Sequence, residues 1–168
     1  MELNSLQDLF IEDLKDLYSA ETQLTKALPK MAKAASNPDL RQAFQTHLAE
    51  TENQIKRLEQ IFEELDESPK GKKCKAMEGL IEEGKELMEE DAEPEVMDAG
   101  LIGAAQKVEH YEIAGYGTVR TYAQVLGNEE AARLLQQTLD EEGMTDKKLN
   151  KLAMQCINVE AAEGGDGQ

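Results

Sequence analysis

The sequence predicts an all-α fold, a bundle of four long helices made from two copies of one helical hairpin. Three observations favour this class: apolar residues recur at helical spacing along nearly the whole chain, the chain repeats itself internally, and a long segment separates the two copies. A length of 168 residues suits a single domain with a real core. We expect that domain to cover 1–159 and a disordered, glycine-rich tail to follow at 160–168.

The first predicted hairpin joins a helix at about 3–34 to a helix at about 38–65. Large apolar side chains, mostly leucine, form one stripe along each helix, as expected when one face packs on a core. Residues 36–38 mark the break between the two helices, with Asn37 as the N-cap and Pro38 as the first helical residue.

The second predicted hairpin repeats the first. Its helices run over about 95–126 and about 128–159. A shift of 91 positions (112 − 21) places Glu21 on Glu112, and matching residues follow without a gap over 21–58. The two hairpins are therefore copies of one unit.

The connection between the hairpins, 66–94, is too long for a tight turn. It contains a short amphipathic helix at about 77–88, and it could travel the length of a bundle. Two hairpins linked by one long crossover form the ferritin-like topology, in which carboxylates on facing helices build metal sites. An ordinary antiparallel bundle would not need so long a connection.

The charge and composition exclude several kinds of partner. The net charge of −17, from 35 acidic and 18 basic residues, argues against nucleic acid or an anionic membrane, because both require a basic surface. No apolar run approaches the roughly 20 residues that span a bilayer, and the first residues lack the pattern of a signal peptide. We therefore expect a cytoplasmic protein. Cys74 and Cys156 are interpreted as ordinary thiols rather than a disulfide or a metal site.

Acidic residues on the apolar faces are the candidates for function, because ionised carboxyl groups are almost never buried without a partner. In the third helix, Glu109 and Glu112 are three residues apart on the core-facing side. In the fourth helix, Glu142 and Asp146 are four apart, in line with its leucines. In the first helix, Glu21 falls within the leucine stripe.

The second helix gives a weaker pattern. Thr51 holds the centre of its apolar stripe, while His47 and Glu50 lie along one flank. The internal repeat pairs Glu50 with Glu141, whereas the helical phase favours Glu142 as the inward acid of the fourth helix. The sequence leaves both choices open.

Several carboxylates meeting in a core would repel one another and stay partly protonated unless cations lay among them. Oxygen donors suit Mn and Fe(II) as well as Mg or Ca, and carboxylates can bridge two ions. We therefore predict a site for two Fe or Mn ions per chain, able to reduce peroxide or to oxidise Fe(II). The alternative is that these acids pair with lysine or arginine, or line a water-filled seam.

Five segments carry a resemblance to a known family: 18–21 (YSAE), 47–51 (HLAET), 74–80 (CKAMEGL), 108–117 (VEHYEIAGYG) and 138–142 (TLDEE). In these segments the chain resembles the YciF/YciE-like bacterial stress proteins, and the likeness covers nearly everything except the glycine-rich tail. The resemblance implies a ferritin-like, rubrerythrin-related bundle, a homodimer and a role in stress responses, without an established biochemical activity.

One departure from the usual di-iron pattern keeps a second function open. Di-iron bundles use Glu-x-x-His on two helices, but here Asn53 stands three residues after Glu50 and Thr145 three after Glu142. The Glu-x-x-Glu pair of the third helix does resemble the rubrerythrin arrangement. The alternative function is a non-enzymatic helical dimer that acts through protein partners and has a degenerate metal site. An iron-storage shell would need cage interfaces that one chain does not show.

Overall fold

The computed structural model describes residues 3–164, and helices make up almost all of this range, which contains no strand. The all-α prediction is confirmed. The elements, in chain order, are α1 (Leu6–Ala34), α2 (Pro38–Glu64), α3 (Lys75–Glu89), α4 (Pro94–Val125), α5 (Glu129–Leu152), a π-helical turn (Ala153–Ile157) and α6 (Asn158–Glu163).

Side chains placed just before the helices set where they begin. The Asn37 side chain accepts hydrogen bonds from the first backbone N–H groups of α2, at 2.9 and 3.1 Å, and Pro38 is the first residue of that helix. Asn128 caps α5 in the same way, accepting from the N–H of Ala131 at 3.0 Å. The predicted break at 36–38 is therefore confirmed. Asn37 and Asn128, which occupy equivalent positions in the two copies of the repeat, both cap the helix that follows them.

The four long helices pack so that each contacts two others. Helix α1 packs against α2 and α4, and α5 packs against the same two helices from the other side. The shorter α3 lies in the segment between the hairpins, at the position where the sequence predicts a short helix, and it packs on α4 and α1. Within residues 3–164, each helix is either too short or too polar to span a lipid bilayer.

The core is divided into two apolar clusters that occupy different levels of the four long helices. One cluster contains residues from Phe10 to Leu17 of α1, together with residues from the adjacent ends of α2, α4 and α5. The second cluster contains residues from Leu24 to Met31 of α1, together with residues nearer the opposite ends of α2, α4 and α5. Between the two clusters, each long helix carries buried polar residues instead: Glu21, His47, Thr51, Gln54, Glu109, Glu112, Thr138 and Glu142. We call this set of eight residues the polar layer.

The C-terminal end differs from the sequence-based prediction. The predicted last helix ends near 159, but the structure continues through the π-helical turn into α6, which ends at Glu163. Residues 160–163 of the predicted disordered tail are therefore helical. Ile157, which is 1 % exposed, packs in the core and holds this end of the chain against the bundle. The rest of the predicted tail, 165–168, lies outside the described residues.

Candidate metal centre

The polar layer buries four glutamates and one histidine almost completely. Glu21, Glu112 and Glu142 are fully buried, Glu109 is 1 % exposed and His47 is 3 % exposed. Carboxylate groups removed from water to this extent normally require a cation or several hydrogen-bond donors. The residues that surround them therefore decide what the layer can do.

All four long helices contribute to this group, and helical periodicity explains which residues point inward. Glu109 and Glu112, three residues apart on α4, lie on one face together with the buried Tyr116. Glu21 comes from the middle of α1, between buried leucines, while His47 comes from α2. Glu142 occupies the buried face of α5. Rigid helices, rather than loops, thus hold every member of the group.

Four of these residues converge on one point. One side-chain ligand atom from each of His47, Glu109, Glu112 and Glu142 can be chosen so that all four lie within 4.8 Å of one another. The Nε2 atom of His47 is 3.0 Å from Oε1 of Glu109 and 3.9 Å from Oε2 of Glu142. Three carboxylates and an imidazole at such separations are the donor types that bind Fe or Mn.

Most of the side-chain polar atoms of these five residues have no hydrogen-bond partner among the described residues. Both carboxylate oxygens of Glu112 and of Glu142 are without one, as are Oε2 of Glu21 and Oε2 of Glu109. Both ring nitrogens of His47 also lack a hydrogen-bond partner, although Nε2 lies 3.0 Å from Oε1 of Glu109. Buried polar atoms are rarely left in this state, so the group fits a cation that would supply the missing interactions.

The pKa values of the group are shifted in the direction expected for crowded, buried acids. Burial raises the pKa of Glu21 to about 7. Burial, reinforced by the negative charge of neighbouring glutamates, holds the pKa of Glu112 and of Glu142 well above the usual range. Burial alone would lower the pKa of His47, but the surrounding carboxylates of Glu109, Glu50 and Glu142 together outweigh it and raise that pKa well above its usual value. Bound cations would reverse the preference for protonated acids.

Glu21 lies at the edge of the four-residue group and is fixed by a tyrosine. The hydroxyl of Tyr116 donates a hydrogen bond of 2.5 Å to Oε1 of Glu21, and both side chains are fully buried. The negative charge of Glu21 also raises the pKa of Glu112. One oxygen of Glu21 is therefore held by Tyr116 and the other is left free.

Two of the predicted site residues lie outside this group. Glu50 is half-buried, with Oε2 3.6 Å from Nδ1 of His47 and 3.4 Å from the hydroxyl of Thr145. Asp146 lies on the flank of α5, where Oδ1 is 3.3 Å from Nε2 of the exposed His110 and 3.3 Å from the amide nitrogen of Gln106. The structure thus brings together Glu21, His47, Glu109, Glu112 and Glu142 of the seven predicted residues.

The two adjacent acids of α5 have separate environments. Glu142 is buried in the group, whereas Glu141 turns to Arg57 of α2, whose Nη1 and Nη2 donate to its two oxygens at 2.7 and 2.6 Å. The side chain of Gln54 also donates to Glu141, at 3.0 Å. Helical phase, rather than the internal repeat, identifies the inward acid. The sequence reasoning missed Arg57, and its only signal is its position three residues after the buried Gln54.

The fold and the polar layer define an all-helical protein that gathers glutamates and one histidine in its core. The family described as a domain of unknown function (DUF892) matches residues 5–162, so the chain belongs to that family. It is similar to Protein YciF of Escherichia coli strain K12, with 54% identity over 162 residues, which are 96% of this chain and 98% of that protein. It is thus a homologue of a stress protein, as the sequence motifs predict.

Solved structures agree with this assignment. The crystal structure of the E. coli stress protein YciF matches with a TM-score of 0.89, covering 92% of this chain and 98% of that one. YcfI from Rhodopseudomonas palustris matches with a TM-score of 0.86 and 46% identity, covering 89% and 95%. A protein from Xanthomonas campestris, with a TM-score of 0.76 and 20% identity, covers 96% of this chain and 99% of that one and shares the fold.

Proposed function

We propose that this chain is a ferritin-like bundle whose polar layer binds two divalent ions, Fe or Mn, between the two helical hairpins. The observation that carries the proposal is the set of eight buried, unpartnered atoms on Glu21, His47, Glu109, Glu112 and Glu142. Ferritin-like carboxylate sites are built in the same way, from ligands that facing helices contribute. The long connection between the two hairpins, which here contains α3, also fits the ferritin-like topology.

Charge balance favours two ions over one. The four glutamates carry four negative charges when all are ionised, and two divalent cations would cancel them. Glu109 and Glu112 come from one helix, whereas Glu21 and Glu142 come from its two neighbours, so carboxylates reach the group from several directions. Bridging by carboxylates lets so few residues hold two ions.

If bound, Fe or Mn ions would give the layer redox chemistry, in which the electrons that the ions lose on oxidation, for example from Fe(II) to Fe(III), reduce peroxide. The chain itself would hold the ions on rigid helices and exclude bulk water by the apolar clusters on either side. Tyr116 would orient Glu21 through its hydrogen bond. Thr51 and Gln54 each keep one buried oxygen without a partner, and these oxygens could bind water or peroxide within the layer.

The second candidate is a non-enzymatic homodimer that acts through protein partners. One observation favours it: the layer contains a single histidine, because the positions that would complete Glu-x-x-His are Asn53, which is exposed, and Thr145, which bonds to Glu50. A site with fewer nitrogen ligands would bind metal more weakly. Both candidates share the fold and differ in whether the layer retains metal.

A titration of chelator-treated protein with Mn(II) or, without oxygen, Fe(II) separates the two. We expect saturation at about two ions per chain, and a large loss of affinity in Glu109→Gln/Glu112→Gln, which keeps side-chain size but removes two negative charges. Glu83→Gln/Glu86→Gln is the matched control, because both residues are exposed on α3 and have the same spacing. Equal uptake by the two double variants would show that the bound ions lie elsewhere and would reject the site.

A further inference from the structure

An apolar groove lies on the side of the bundle, where α3 packs across α1 and α4. Its volume is about 240 Å³. Leu24, Ala27 and Met31 of α1 and Val108 of α4 form its buried base, while Leu80 and Ile81 of α3 form one wall. None of the eight residues of the polar layer lines it, so the groove is separate from the proposed metal centre.

The groove exists because small residues stand where helices usually interlock. Gly84 of α3 faces Ala104 of α4, and a Cβ atom added at Gly84 would meet only the Cβ of Ala104, at 3.9 Å. Most apolar residues of α3 are consequently not fully buried, since only Met77 and Gly84 of this amphipathic helix are buried. Leu80 and Ile81 stay half-buried beside a space that the chain does not fill. Apolar surface left open in this way favours an apolar ligand.

Three lysines line the same groove, on both of its sides. Lys26 and Lys30 stand one turn apart on α1, and Lys85 faces them from α3. Within residues 3–164, neither Lys26 nor Lys30 forms an ion pair or a hydrogen bond. Lys85 has only exposed contacts, at 3.5 Å to Glu82 and 3.9 Å to Glu89. In a chain with 35 acidic and 18 basic residues, a groove lined by three cations is a local reversal of charge.

We propose that this groove binds an amphiphilic anion, an unbranched aliphatic chain that ends in a carboxylate or phosphate group. The aliphatic chain lies along the apolar base, where its burial also covers the half-buried side chains of α3. The head group lies at the mouth and accepts charge-assisted hydrogen bonds from Lys26 and Lys30. A neutral or cationic amphiphile has the same apolar contacts but loses these bonds, so the site selects for the anion.

Calorimetric titration of the full chain with dodecanoate, below its micelle concentration, tests the proposal. We expect saturable binding of one molecule per chain, clearly tighter than for dodecanol or dodecyltrimethylammonium. Lys26→Glu/Lys30→Glu should weaken binding about tenfold or more, because two attractive charges become repulsive. Lys33→Glu/Lys147→Glu is the matched control: it makes the same change in net charge at exposed lysines outside the groove, and it should bind dodecanoate like the wild type.

A second variant tests the apolar part without changing charge. Gly84→Leu places a side chain in the open space, and it should abolish dodecanoate binding while circular dichroism and metal uptake stay as in the wild type. Absence of saturable dodecanoate binding to the wild type, or equal binding by the wild type, Gly84→Leu and the Lys26/Lys30 variant, would overturn the proposal. Cosedimentation with anionic phospholipid vesicles is a separate measurement. Protein that cosediments with the vesicles but does not bind free dodecanoate would indicate a membrane-surface contact instead, and this result would also overturn the proposal.

Discussion

Replacing Glu21 by glutamine tests the electrostatics of the polar layer in the metal-free protein. Glu21 is fully buried and its pKa is about 7, against 4.5 for an exposed glutamate. Because the folded pKa is raised, the folded state keeps this proton at pH values where the unfolded chain has already lost it. The folded state therefore binds more protons than the unfolded state, and its free energy of unfolding falls as pH rises from the lower pKa to the higher one.

The size of the effect follows from the two pKa values. A difference of about 2.5 units (7 − 4.5) corresponds to roughly 3 kcal/mol of stability lost once Glu21 is ionised in both states. Between about pH 5.5 and about pH 8, the ionisation of Glu21 lowers the free energy of unfolding by about 2 kcal/mol. Glu21→Gln cannot ionise, and its amide oxygen can still accept the hydrogen bond from Tyr116. The metal-free variant should therefore be more stable than the wild type at the higher pH, with a smaller difference at the lower one.

Urea denaturation in the presence of a chelator, followed by circular dichroism at both pH values, measures this difference. Glu59→Gln, also on a long helix but exposed, is the control and should follow the wild type at each pH. Glu112 and Glu142 have raised pKa values too, so the wild type and the variant should both lose stability with rising pH, the variant less steeply. A Glu21→Gln variant with the same pH dependence as the wild type would show that Glu21 does not hold a proton in the folded state.

Two further changes test contacts away from the layer. Asp98→Ala removes a buried carboxylate that accepts hydrogen bonds from the backbone N–H groups of Ser36 and Asn37, at 2.8 and 2.7 Å. The free energy of unfolding should therefore fall by about 3 kcal/mol, and Asp98→Asn should lose less than Asp98→Ala. Phe44→Ala opens a cavity at a side chain that is 2 % exposed, and thermal and urea unfolding should both show a loss of about 3–5 kcal/mol. A loss below about 1 kcal/mol in either variant would contradict the assigned packing.

Much of the fold could be predicted because each local signal agreed with the others. Apolar periodicity gave the long helices, and Asn37 with Pro38 gave the first turn, since capping chemistry is local in sequence. The inward position of Glu21 and Glu112 could be predicted for a related reason: each lies within an apolar stripe, so burying the leucines beside it buries the carboxylate as well.

Asp146 and Arg57 show where such reasoning ends. Four residues advance a helix by slightly more than one turn, so Asp146 is rotated roughly 40° from Glu142. That rotation turns it towards His110 at the edge of α4, and only the packed positions of the helices reveal the difference. Arg57 could not be identified, because its long side chain reaches Glu141 on another helix and its own position is only half-buried. Contacts between helices at the rim of a stripe depend on packing that periodicity does not specify.

Elemental analysis of protein purified without chelator or metal-affinity resin measures whether the polar layer holds metal. We expect about two Fe or Mn ions per chain in the wild type and in Glu83→Gln/Glu86→Gln, and their loss in the folded Glu109→Gln/Glu112→Gln variant. Wild-type protein that contains no Fe or Mn, and that takes up neither ion when it is supplied, would contradict the proposed metal site. The polar layer would then be a degenerate site within the helical bundle.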